Sequence, residues 1–204
     1  MTELQTVEVR ALHREEFHEA VGVLARSMRD NPLHVAAYGP DPERRERMHA
    51  KLMAAFFRVF NTQQPICAVR GATLVGVAGI APAGTCHPRA LQRLRFFPTI
   101  VSLGPRTAAR VSRWLDAWAD HEPEADHVHL GPVAVDRGLQ GEGIGSQMMR
   151  VHAAGLDAVG QMGYLETDKL ENVAFYERHG YEVIASAPVL DVPNWFMRRM
   201  PAER

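Results

Sequence analysis

The residues best suited to chemistry lie in a glycine-rich turn between a strand-like and a helix-like segment. Gly141, Gly143 and Gly145 follow the apolar run at 133–135. At the start of a helix several N–H groups lack intrahelical partners, and with the helix dipole they attract anions. Glycine also lets the backbone approach a phosphate without a Cβ in the way. The turn therefore predicts a site for a phosphorylated cofactor.

The spacing of these glycines distinguishes between classes of phosphate site. A P-loop requires a lysine beside its second glycine, and no lysine stands near this turn. A dinucleotide fingerprint requires the pattern Gly-x-Gly-x-x-Gly, which Gly141, Gly143 and Gly145 do not complete. The pattern that fits is Gln-x-x-Gly-x-Gly, formed by Gln140, Gly143 and Gly145.

A second group of residues follows the strand-like segment Gly163–Thr167. Asn172 and Tyr176 lie in a short helical stretch, and Gly180 is suited to end it. Together the two groups resemble the two signatures of the GNAT N-acetyltransferases, in the family order along the chain. Further segments, Leu165-Glu166-Thr167 among them, resemble puromycin N-acetyltransferase-like members.

The resemblance implies a fold and an activity. The fold is α/β (α+β), with a central mixed, twisted sheet of about six to seven strands flanked by helices and a helical insert before the fourth strand. The activity is transfer of the acetyl group of acetyl-CoA to a primary amine of a small molecule, by direct attack in a ternary complex. A protein or peptide N-acetyltransferase and an inactive CoA-binding regulatory module are the alternatives left open.

The resemblance also implies roles for individual residues. The backbone of the strand at Val133 and Val135 would pair with the pantetheine amides and stabilise the oxyanion. Tyr176 would lie near the sulfur and donate to the departing thiolate. The cofactor-binding residues implied are Val133, Ala134, Val135, Gln140, Gly141, Glu142, Gly143, Ile144, Gly145, Ser146 and Asn172.

Glu166 is the candidate general base, because it ends the strand beside the cofactor. The alternative is an ordinary surface glutamate, and His129 is a second candidate base. His127 and His129 alternate along a strand, as either a metal-binding pair or cleft-lining residues. The expected reaction requires no metal. An acyl-enzyme on Cys67 or Cys86 is not expected, because buried, inert thiols are common.

Hydrophobic periodicity places these residues on a sheet flanked by helices. An acidic N-cap before a proline starts a helix at Asp41, and Asp30-Asn31-Pro32 is expected to end the one before it. The predicted helices span 15–29, 42–60, 106–119, 143–159 and 172–179, with a weaker one at 89–97, and the predicted strands span 6–12, 66–70, 73–80, 127–135, 163–167, 181–187 and 192–200.

Length and composition favour one globular domain over residues 1–204. The net charge of −1 and the lack of a basic run argue against a nucleic-acid partner. No signal peptide and no apolar run of about 18 residues is present, so no membrane association and a cytoplasmic location are expected. A homodimer through a swapped or paired C-terminal strand is left open.

Overall fold

The computed structural model describes residues 6–60, 64–85 and 89–202; Cys86 lies outside these ranges. Seven strands form one sheet in the order β1-β2-β3-β4-β5-β7-β6. The β4–β5 pair is parallel and the other five pairs are antiparallel, so the sheet is mixed as predicted. The strands are β1 (Val7–Ala11), β2 (Ile66–Arg70), β3 (Thr73–Ala81), β4 (His127–Val135), β5 (Met162–Thr167), β6 (Glu182–Val189) and β7 (Val192–Arg199).

Within the described residues, seven α-helices surround the sheet, and several begin where the sequence predicts. The Asp41 carboxylate accepts hydrogen bonds from the backbone N–H groups of Glu43 and Arg44, which caps the third helix. The helices are α1 (Phe17–Met28), α2 (Pro32–Tyr38), α3 (Pro42–Val59), α4 (Ala90–Val101), α5 (Pro105–Ala119), α6 (Ile144–Val159) and α7 (Leu170–Glu177).

Two helices differ from the sequence expectation. Pro32 was expected only to end α1, but it also begins α2, because proline fits the first helical position, where no N–H donor is needed. The helix expected over 89–97 extends to Val101 and contains Pro98. The predicted insert before β4 is therefore two full helices, α4 and α5.

The helices cover the two faces of the sheet with separate cores. On β2, Cys67 and Val69 point into the core formed with α1, α3 and α5, whereas Ala68 points into the core formed with α6 and α7. This alternation is the period of two expected of a strand buried on both faces. The centre of the sheet is therefore buried on both faces, whereas most of the edge strand β6 is exposed.

The outer edges of the sheet are β1 and β6. The C-terminal strand β7 pairs with β5 on one side and β6 on the other, so the edge open to another chain on that side is that of β6. The homodimer stays a prediction. Among the described helices, none has both the length and the apolar character needed to cross a membrane.

Two buried histidines give the fold a predictable response to acid. The rings of His34 and His49 lie 4.3 Å apart between α2 and α3. Burial lowers the pKa of His34 far below its ordinary value and lowers that of His49 to about 3. Both rings are therefore neutral in the folded protein, whereas in the unfolded chain each titrates near pH 6.5.

We predict that the free energy of unfolding falls as the pH is lowered below about 6.5, by about 1.4 kcal/mol per pH unit per histidine. The unfolded chain takes up these protons first, and the loss continues down to the folded pKa, about 3 for His49. Urea unfolding between about pH 7.5 and about pH 5 measures the slope, before most carboxylates titrate. His49→Gln should reduce the slope and the exposed His18→Gln should not. Equal slopes in both variants would contradict the assignment.

Candidate active site

The central feature of the site is a separation of the two parallel strands. The β4–β5 pairing joins His127–His129 to Met162–Tyr164. Beyond that point β4 stays paired with β3 as far as Val135, and β5 stays paired with β7 as far as Thr167. The β5-facing edge of β4 therefore opens from Leu130 onward. We call this opening the fork.

The glycine-rich turn lies at the open end of the fork. Gly143 has a φ of 81° and is the residue before the first turn of α6. A Cβ on Gly145 would lie 3.3 Å from the Phe175 ring and 3.7 Å from Val135 Cγ2. The start of α6, the end of β4 and helix α7 thus meet here. The N–H groups of the first turn of α6 that lack intrahelical partners therefore lie beside the end of β4, although residues 136–143 separate the two elements along the chain.

Three side chains of the turn form hydrogen bonds or ion pairs with other residues of the chain. Gln140 Nε2 donates to the Val135 carbonyl at 3.0 Å. Glu142 pairs with Arg70 at 2.6 Å, and the Ser146 hydroxyl lies 3.3 Å from a ring nitrogen of His179. These contacts fix the turn and leave backbone N–H groups as the donors available to an anion. Of the predicted cofactor-binding set, Ser146 is therefore suited to act through its backbone N–H, whereas the N–H of Glu142 donates to the Leu139 carbonyl at 3.4 Å.

Tyr176 and Asn172 both lie on α7, beside the end of β5. Tyr176 is buried in the core formed with α6 and α7, where it shares a cluster with Leu130 and Leu165. Burial, and then the charge of Asp168, raise the pKa of the Tyr176 phenol, so it stays protonated and can donate. Asn172 Nδ2 donates to Thr167 Oγ1 at 3.2 Å, which ties α7 to the end of β5.

Glu166 lies on the opposite face of β5 from Leu165, because strand side chains alternate. Its side chain is 2% exposed, and Oε2 lies 2.8 Å from His129 Nε2. Its other oxygen, Oε1, is buried and has no hydrogen-bond partner in the described structure. Of the two interpretations left open by the sequence, a surface glutamate does not fit this burial. The role of Glu166 as a general base stays a prediction, and the two candidate bases contact each other.

Sequence reasoning missed Glu122, which lies in the loop after α5. Glu122 Oε1 lies 3.2 Å from His129 Nδ1, so the His129 ring stands between two carboxylates. The Glu122 side chain is 7% exposed. The sequence signal at this position was the stop His121-Glu122-Pro123, which indicates only the end of a helix.

Sequence reasoning also missed Asp168, which follows β5. Its Oδ2 accepts a hydrogen bond of 2.7 Å from the backbone N–H of Leu33. Burial raises the pKa of this carboxyl group. The contact fixes α2 beside the fork, so α2 forms part of the wall on the Glu166 side.

Comparison with known proteins finds similarity to acetyltransferases. Residues 111–183 match the family model of the acetyltransferase (GNAT) domain, and this range contains both glycine turn and α7. A histone acetyltransferase HPA2 and related acetyltransferase from Corynebacterium glutamicum has 20% identity and a TM-score of 0.75, with 98% of each chain covered.

Two further solved structures share the fold. A polyamine N-acetyltransferase from Drosophila melanogaster, which catalyses the formation of N-acetylagmatine, has 13% identity and a TM-score of 0.67 over 96% of this chain and 100% of that one. A GNAT family acetyltransferase from Brucella melitensis, in complex with acetyl-CoA, has 16% identity and a TM-score of 0.54 over 98% and 90%. The GNAT resemblance and the predicted fold are confirmed; the closer likeness to puromycin N-acetyltransferases stays a prediction.

The left-handed backbone at Gly143 gives a test of the turn. Gly143→Ala should lower the free energy of unfolding by about 1 to 2 kcal/mol, because a Cβ is disfavoured at positive φ. Gly138→Ala is the matched control, since Gly138 lies in the same turn without a positive φ and has open space around its Cβ position. Urea unfolding measures both. Equal losses in the two variants would contradict a requirement for glycine at position 143.

Proposed function

We propose that this chain is an acetyl-CoA-dependent N-acetyltransferase that acetylates a primary amine of a small molecule. The observation that carries the proposal is the fork, because it joins an open strand edge to the N-terminus of α6. An extended ligand could bind there if it carried amides at one end, for the open edge of β4, and phosphates at the other, for the N-terminus of α6. Acetyl-CoA is such a ligand, and residues 1–204 would act as one catalytic domain.

In this proposal the cofactor lies along β4. Its diphosphate would bind the N–H groups at the start of α6, from Gly141 to Ser146. Its pantetheine amides would pair with the open edge of β4 at Val133 and Val135, and Asn172 would bind the same arm. The thioester would then lie inside the fork, between Tyr176 on one face of the sheet and Glu166 on the other.

This arrangement is suited to direct transfer. The neutral amine nitrogen attacks the thioester carbon, and a backbone N–H of the β4 edge stabilises the oxyanion. The C–S bond then breaks, the thiolate takes a proton from Tyr176, and Glu166 accepts the proton that the nitrogen loses. His129 contacts Glu166 Oε2, which leaves Oε1 as the oxygen that would accept the proton.

The electrostatics of the acceptor side favour a cationic amine. Two buried carboxylates, Glu122 and Glu166, flank His129 on this side of the fork. A buried carboxylate oxygen without a donor is costly, and an alkylammonium group supplies such donors. The bound ammonium would lose one proton to solvent before the neutral nitrogen attacks, so Glu166 would still be ionised when it accepts the second. The Drosophila polyamine N-acetyltransferase, which catalyses the formation of N-acetylagmatine, shares the fold.

The first test is stabilisation by the cofactor. Acetyl-CoA at about 100 times its dissociation constant should stabilise the protein by about 2.7 kcal/mol and raise the melting temperature by a few degrees. NADH and ATP should produce no comparable shift, because neither carries a pantetheine arm. A folded sample, free of co-purified CoA, that shows no shift with acetyl-CoA would contradict the proposal.

The second test separates chemistry from packing. With a diamine acceptor and release of free CoA as the readout, Glu166→Gln and Tyr176→Phe should each lower kcat by about 100-fold or more. Tyr181→Phe is the matched control for the tyrosine: it removes a buried hydroxyl from the same core, one bonded to His152 at 2.9 Å. Its kcat should stay close to that of the wild type. Equal losses at Tyr176 and Tyr181 would indicate packing rather than proton donation.

A further inference from the structure

A cluster of metal-ligating side chains lies where β4 and β5 are still paired, at the closed end of the fork. Glu122, His127 and His129 each offer one ligand atom, and these atoms lie within 4.8 Å of one another. His127 and His129 are two residues apart on β4, so their side chains leave the same face of the sheet. Two imidazoles and one carboxylate form a ligand set that catalytic Zn²⁺ sites use, with a fourth position open.

In each histidine, the ring nitrogen that would not bind the metal has a hydrogen-bond acceptor beside it. His127 Nδ1 lies 2.9 Å from the Ala125 carbonyl, which can only accept, so Nδ1 carries the proton and Nε2 the lone pair. His129 Nε2 lies 2.8 Å from Glu166 Oε2, on the side of the ring away from Glu122. Metal-bound histidines typically donate their other N–H to a carbonyl or a carboxylate, which fixes the tautomer and the ring orientation.

The Tyr164 ring restrains both imidazoles further. Its centroid lies 5.2 Å from that of His127 and 5.5 Å from that of His129, in edge contacts. The Tyr164 hydroxyl donates to the His121 carbonyl at 3.1 Å, which connects the strand to the loop that carries Glu122. The two histidines on β4 and Glu122 in its loop are thus held in place by contacts with Tyr164 of β5 before any ion binds.

The charge of the cluster favours a divalent cation. The side chains of Glu122 and Glu166 are 7% and 2% exposed, and both approach the same imidazole. A divalent ion at this position would place two positive charges between the two carboxylates. Burying carboxylate charge is costly unless it is paired or coordinates a metal.

We propose that Glu122, His127 and His129 bind one Zn²⁺ ion, with Glu166 as the carboxylate that orients His129. The ion would coordinate His129 through Nδ1 and leave Nε2–H directed at Glu166 Oε2. It would therefore hold the proposed base without occupying Glu166 Oε1. The site does not depend on acetyl transfer, and its readout is metal binding rather than activity.

The test is titration of the full chain with Zn²⁺ after removal of metal by a chelator. Calorimetry should show one Zn²⁺ per chain, with a dissociation constant of about 1 μM or tighter. Co²⁺ in its place should give the visible absorption of a tetrahedral site. His127→Gln and Glu122→Gln should each weaken Zn²⁺ binding by about 100-fold or more, and Glu166→Gln by about 10-fold, as for a residue that only orients a ligand.

His18→Gln is the control for adventitious binding, because His18 is exposed on α1 and lies outside the cluster. It should leave stoichiometry and affinity unchanged. Circular dichroism shows whether each variant is folded, and the Co²⁺ spectrum of the wild type tests the site without any variant. Absence of one-to-one binding in the folded wild type, or binding retained in both His127→Gln and Glu122→Gln, would overturn the proposal and leave a hydrogen-bonded network.

Discussion

The separation of β4 from β5 is the constraint on which the rest of the site depends. Parallel strands normally stay paired, since a backbone polar group without a partner is costly. Here the pairing ends at His129 and Tyr164 although both strands continue. Each strand keeps its other neighbour, β3 or β7, so the sheet stays intact while a row of backbone groups on β4 becomes available to a ligand.

The helices hold this opening from both faces. On one face α6 begins where β4 ends, and Phe175 of α7 packs against the first turn of α6, where only glycine fits without displacing it. On the other face Asp168 binds the N-terminus of α2. The strands therefore remain apart because packed helices, rather than the strands themselves, determine their spacing.

His129 links the two buried carboxylates of the site. One imidazole contacts two buried carboxylates, which arrive from different elements: Glu166 from β5 and Glu122 from the loop after α5. A low-dielectric environment strengthens such contacts and makes an unpaired carboxylate oxygen expensive. The same contacts that would orient Glu166 toward a substrate amine in the proposed function also bring together Glu122, His127 and His129, the set suited to a metal ion.

The sequence alone determined the local features of this protein: the bounds of β4, the cap of α3, and a glycine turn between strand and helix that resembles GNAT enzymes. These depend on residues close together in the chain. The Glu122–His129–Glu166 contacts and the position of α2 were decided only by the tertiary structure. Glu166 is 37 residues from His129, and Leu33 is 135 from Asp168. No local pattern encodes such distances, because strand order and helix packing bring those residues together.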